Sequence, residues 1–261
     1  MSPEELAEAL YERHYHLFDD EYKVDPKIIA NAKQIVVIEK ELDNCDGKLI
    51  TYDGVDLIFV NKNLKEETSK KFTIAHELGH HEISKHRSVL KHGLCVSTFK
   101  LNYNPSSFQE KEANDFASSL LMPKKLFQEY SDELEISGET IKKISEKFNV
   151  SLTAAALRYL KIGKIPICVI MVKNGRIEWA FCSDYFRLKY IEKGKLIRRE
   201  SEGWKYFNKK ESFTEGPALI KASVWFWNDR NLKEDFYIYE DIIPLPSYKS
   251  LLIILWEYNL Q

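Results

Sequence analysis

The sequence predicts an α+β chain in three parts: a helical domain around a small antiparallel sheet (1–125), a helix-turn-helix-like module (126–163) and a C-terminal α+β domain (164–261). Three observations carry this. Apolar residues recur at helical spacing around 72–80, 110–121 and 139–161. Short apolar runs separated by Asp-Gly or Asn-Gly pairs lie at 35–60 and 165–181. After Pro123 the helical character continues only to Lys161, and from Ile165 the pattern becomes strand-rich.

Residues 2–17 and 26–34 read as amphipathic helices, the second with Asp25 as N-cap and Pro26 at the first helical position. Ile35–Glu39, Lys48–Tyr52 and Val55–Val60 are short apolar runs divided by Asp46-Gly47 and Asp53-Gly54, which are turn signals. They imply the small antiparallel sheet, whose edge strand would offer backbone groups to an extended peptide.

The next element carries the strongest chemical signal. His76-Glu77-Leu78-Gly79-His80 is an H-E-x-x-H string in a helical run. Four residues turn a helix through about 400°, so the two imidazoles stand roughly 40° apart on one face, one turn apart in height. Both can bind one tetrahedral Zn²⁺, and Glu77, about 100° round from His76, lies where a general base is needed. Phe72, Ile74, Ala75 and Leu78 surround the motif, so the histidines are expected to be buried and to need partners. The bland reading, an exposed helix with two histidines, fits those neighbours less well.

A zinc site of this type needs a third protein ligand, and two routes exist. His86 has the spacing of a third histidine, but that route wants a glycine at position 83, where the chain has the β-branched Ile83. The other route is a glutamate from the helix over 110–121. There Ala113, Phe116, Ala117, Leu120 and Leu121 form an apolar stripe, with Glu110 about 50° from its centre and Glu112 about 110°. Glu110 is the better-buried candidate, and Asn114, one turn further on, suits a hydrogen-bond partner that orients a ligating histidine.

Residues 139–161 read as helix, tight turn at Asn149, N-cap at Ser151 and second helix. The second helix offers mainly Thr153, Arg158 and Lys161 to a groove, so nucleic-acid binding is weakly supported against a packing role. The C-terminal part shows strands at Ile165–Val172 and Arg176–Phe181 about an Asn174-Gly175 turn, then the aromatic stretches Val224–Trp227 and Phe236–Tyr239. Residues 187–210 hold nine Lys/Arg against three Glu among Tyr190, Trp204, Tyr206 and Phe207. A solvated hairpin with core aromatics explains this better than a nucleic-acid or acidic-partner surface.

Three separated blocks resemble the ImmA/IrrE family of metallopeptidases: Ile58-Phe59-Val60-Asn61, then Lys71 through His80, then Glu110 through Ala117 with Leu120-Leu121-Met122-Pro123. The likeness spans roughly 25–125. It implies a small zinc peptidase that cleaves a DNA-binding repressor, often of helix-turn-helix type, and so switches on genes under stress. The family's metal ligands carry over to His76, His80 and Glu110, and its base to Glu77. The resemblance also raises a GAF-like sensory fold for the C-terminal domain. The segment 81–109, with His81, His86 and His92, departs from the family pattern; these histidines and Tyr103 are the candidates for stabilising an oxyanion.

With 261 residues, 44% of them hydrophobic, the chain can bury a substantial core, and a net charge of −2 argues against binding nucleic acid by bulk electrostatics. Cys45, Cys95, Cys168 and Cys182 have no C-x-x-C spacing and are expected to be reduced thiols. The acidic start at Met1–Leu6 is unlike a signal peptide, and Leu251–Trp256 is too short to span a bilayer, so a cytoplasmic protein without membrane contact is expected. Two function classes compete. One is a site-specific zinc peptidase acting on a repressor. The other is a regulatory or toxin-antitoxin protein that binds a partner or DNA, its metal site structural or inactive. Glu77 favours the first, since a structural site has no use for a base.

Overall fold

A computed structural model describes residues 1–86, 108–208 and 213–258. These fall into two compact units, Met1–Phe127 with Ser145–Ser151, and Gln128–Ile144 with Leu152–Gln261. The α+β class read from the sequence is observed.

The first unit opens with α1 (Pro3–His14), where Ser2 and Glu5 form a reciprocal capping box that satisfies two otherwise orphaned amides. Helix α2 (Pro26–Ala32) starts as expected: Asp25 accepts from the Lys27 amide and Pro26 occupies the first turn. Then come β1 (Val36–Lys40), β2 (Gly47–Tyr52) and β3 (Val55–Asn61). Asp53 and Gly54 both have positive φ, 51° and 78°, which matches the twist of a two-residue hairpin between β2 and β3.

One expectation for this sheet fails. It is mixed rather than antiparallel, with order β1-β3-β2 and β1 parallel to β3. The chain leaves β1, passes over the central position to form β2 at the far edge, and returns through the hairpin into the middle. Apolar alternation marks strands but not which one takes the centre; β3, with Ile58 and Val60 fully buried, takes it.

Helix α3 (Glu67–Glu82) carries the H-E-x-x-H string and packs on α4 (Phe108–Leu121), which also packs on α1. Close approach of α3 and α4 depends on Gly79, where a Cβ would sit 3.1–3.2 Å from Phe116. Phe116, Ala117 and Leu120 are fully buried, as the apolar stripe requires. Helices α5 (Lys124–Ser131), α6 (Gly138–Phe148) and α7 (Leu152–Ile162) follow. Asn149, with φ 50°, makes the expected turn between the last two. Of the three side chains weighed for DNA contact, Thr153 and Arg158 are buried and Lys161 is exposed.

The second unit is built on a five-stranded antiparallel sheet of β4 (Ile167–Lys173), β5 (Arg176–Cys182), β6 (Ala218–Lys221), β7 (Tyr237–Leu245) and β8 (Ser250–Glu257), in the order β5-β4-β8-β7-β6. Asn174 and Gly175, φ 49° and 76°, turn β4 into β5. The central strand is β8, the apolar run too short for a membrane. No helix among the described residues is long and apolar enough to cross one. Val224–Trp227 is not a strand: a 3-10 turn at Ala222–Val224 places Trp225 and Phe226 in the core beside Phe186 and Leu188.

Residues 187–208 are irregular and end in the short helix α8 (Glu202–Asn208) rather than forming a hairpin, while Trp204, Tyr206 and Phe207 do pack against the core. Cys168 and Cys182 are not free thiols. They lie opposite each other on β4 and β5 and form a disulfide, and Cys45 is also disulfide-bonded. A cross-strand pair leaves no short spacing in the sequence, which is why the motif rule missed it.

Candidate metal centre

Helix α3 places the two motif histidines as its periodicity requires. His76 and His80 are nearly fully buried, their rings 4.8 Å apart, with Nε2 to Nε2 at 3.1 Å. The helix also brings Glu77 inward, beneath β2. A Cβ on Gly47 of that strand would overlap Thr73 Cγ2 and lie 2.8 Å from Glu77 Oε1, so the sheet meets the helix where only glycine fits. The sequence reading took Gly47 for a turn residue; its role in seating Glu77 had no signal beyond an Asp-Gly pair.

Glu110, on the first turn of α4, completes the cluster. Its Oε2 lies 3.2 Å from His76 Nε2 and its Oε1 3.4 Å from His80 Nε2. Burial alone would raise its carboxyl, but the two imidazoles outweigh that and hold it down at about 2, so it is an anion at neutral pH. Burial pushes His80 the other way, toward the neutral imidazole that metals bind. One turn beyond Glu110, Asn114 Oδ1 is 2.9 Å from His76 Nδ1. An amide oxygen accepts only, so Nδ1 carries the proton and Nε2 keeps its lone pair for the cluster.

Glu77 is in a different state. Neither carboxylate oxygen meets a hydrogen-bond partner of good geometry, and burial, then the charge of Glu110, raises it well above the usual carboxylate range, opposed only by the Leu49 backbone. It is a proton acceptor of raised basicity beside three converging donors.

The other candidates go elsewhere. Glu112 is buried but turned from the cluster, with Oε1 2.5 Å from Lys85 Nζ and Oε2 3.0 Å from His86 Nε2. His86 meets His80 at Nδ1, not at the Nε2 that faces the cluster. Ile83 ends α3 with φ −78°, so the left-handed turn of the three-histidine route is not made. His81 is engaged at both nitrogens, by Asp56 and by Glu82. His92 and Tyr103 lie outside the described residues.

Among the described residues, His76, His80 and Glu110 are the group whose donor atoms converge, all within 4.8 Å of one another. Two imidazole nitrogens and one carboxylate oxygen are a donor set that zinc accepts, and the buried, ionised Glu110 gives a cation something to neutralise. The sequence model of the IrrE N-terminal-like domain, a peptidase family, matches residues 30–160. The chain belongs to the ImmA/IrrE family. This ImmA/IrrE match reaches past the three sequence blocks, which ended near 125, to include α6 and most of α7. Metallopeptidase ImmA of Bacillus subtilis is 28% identical over 137 residues, covering 52% of this chain and 75% of that protein. A solved structure of a Mycobacterium tuberculosis transcriptional regulator shares the fold, with a TM-score of 0.57, 12% identity and coverage of 97% of this chain and 76% of that one.

Proposed function

We propose that this ImmA/IrrE family member is a cytoplasmic zinc metallopeptidase that cleaves a DNA-binding repressor of helix-turn-helix type and thereby derepresses genes. The observation that carries the reading is the placement of Glu77, fully buried and with its carboxyl raised above the usual range by that burial, beside the convergent donors of His76, His80 and Glu110. A site that only held structure together would gain nothing from burying a fourth group in that state.

In this reading His76, His80 and Glu110 hold Zn²⁺, which when bound supplies Lewis acidity and lowers the pKa of water. Glu77 takes the proton of the attacking water and returns it to the amide nitrogen as the scissile bond breaks. Strand β2 lies at the sheet edge beside Glu77, the position at which an extended substrate strand would add to the sheet. Residues 1–125 carry this chemistry; the helical stretch 126–163 is shared between the two compact units, and 164–261, which hold an apolar core of their own, are the part to which we assign a sensory role.

The test is incubation of a helix-turn-helix repressor encoded beside this gene with the wild type and Glu77→Gln, with and without chelator. Cleavage is expected only from the metal-loaded wild type, the variant falling by about 10²–10⁴-fold. Equal cleavage by both forms, or by neither, overturns the proposal.

A further inference from the structure

Glu112 is a puzzle for a simple amphipathic helix. It stands about 200° round α4 from Glu110, yet both are buried. The chain leaving α3 accounts for it: Ile83 turns out of the helix, and His86, itself 1% exposed, comes to rest between Glu112 and His80. The three side chains form a line, with Glu112 Oε2 to His86 Nε2 at 3.0 Å and His86 Nδ1 to His80 Nδ1 at 3.1 Å. Lys85 Nζ holds the other oxygen of Glu112 at 2.5 Å.

We propose that Glu112 and His86 are positioning residues for the metal centre, fixing the tautomer and ring plane of His80 as Asn114 does for His76. The inference rests on the metal reading above, and the protons can be counted from it. If His80 binds the ion through Nε2, its remaining proton sits on Nδ1 and needs an acceptor. The atom facing it is His86 Nδ1, which accepts only if that ring carries its own proton on Nε2. That proton in turn needs an acceptor, and Glu112 Oε2, a carboxylate oxygen that cannot donate while ionised, provides one. One assignment satisfies every contact: Glu112 accepts from His86, and His86 accepts from His80.

The arrangement does two things. It locks the ring of His80, saving the conformational entropy of ordering it when the ion arrives. It also places a carboxylate two hydrogen bonds behind the ligand, which raises the basicity of Nε2. His86 thus acts through His80, as a support and not as a fourth ligand. It follows directly on the end of α3, outside the sequence blocks that carry the family resemblance.

The experiment uses the full chain. Zinc affinity is measured by competition with a chromogenic chelator for wild type, His86→Phe, His86→Gln and Glu112→Leu. In parallel, ¹⁵N-histidine NMR of the zinc-loaded wild type looks for scalar coupling between the Nδ1 nuclei of His80 and His86 across their shared proton. Expected are a resolved coupling, affinity losses of roughly 10–100-fold for His86→Phe and Glu112→Leu, and recovery in His86→Gln, whose amide oxygen can accept. Wild-type affinity in His86→Phe, or no coupling in the loaded wild type, overturns the inference. The NMR arm decides the matter even if a variant fails to fold. A wild type that binds no zinc instead refutes the metal reading itself, so the two failures are distinct.

Discussion

Asn114 Oδ1 lies 2.9 Å from His76 Nδ1, a hydrogen bond that joins the two helices of the candidate site one turn beyond Glu110. The same helix that supplies the carboxylate therefore also sets the direction of the imidazole it meets. Asn114→Leu, close to isosteric but without an acceptor, should weaken zinc binding by roughly 10–100-fold. Asn114→Asp, which keeps the oxygen, should not. Competition titration with a chelator separates the two, and equal affinity in Asn114→Leu and wild type would show that His76 needs no orienting partner.

Gly79 sits between the motif histidines, where a Cβ would lie 3.1 Å from Phe116 Cδ1. Gly79→Val should force α3 from α4 and cost about 1–3 kcal/mol by overpacking. Urea denaturation of the metal-free chain measures this. Because the same displacement carries Glu110 away from the histidines, zinc affinity should fall with stability; a variant as stable as wild type would contradict the close-packing account.

In the second unit, Glu240 is fully buried, accepting from Ser201 Oγ, the Gly203 amide and Trp225 Nε1. Burial raises its carboxyl above 4.5, more than these donors lower it. The folded state therefore binds this proton more tightly than the unfolded state. Its contribution to stability is complete below the unfolded value and is lost as pH rises through the folded one. Glu240→Gln has no proton to lose. Measured by urea unfolding from pH 4 to 8, its stability relative to wild type should improve as pH rises. A difference that is flat, or that moves against Gln, would contradict the assignment.

What the sequence made legible follows from what is local. The histidine spacing, the Asp25-Pro26 helix start, the Asp53-Gly54 and Asn174-Gly175 hairpins and the Asn149 turn each depend on residues a few positions apart, and each is observed. The placement of Glu110 was legible too, because a helix stripe fixes direction. Apart from the Val224–Trp227 stretch and the hairpin expected over 187–210, the misses are non-local. Apolar runs do not encode that β1 lies parallel to β3, nor that Cys168 faces Cys182 across two strands. Glu112 reads as peripheral because its environment is made by His86, from the chain beyond the bend at Ile83, whose direction no periodicity describes. No local pattern marks Glu240 either, since its donors Ser201, Gly203 and Trp225 come from segments distant in the sequence.

Zinc K-edge X-ray absorption on the loaded chain tests the central claim most directly, because it counts and identifies the ligands of the ion. The account predicts one zinc per chain with two imidazole nitrogens at about 2.0–2.1 Å and oxygen at about 2.0–2.2 Å, the signal being lost in a His76→Ala, His80→Ala double variant. A sulfur shell near about 2.3 Å, or stoichiometric zinc retained without those two histidines, would contradict it.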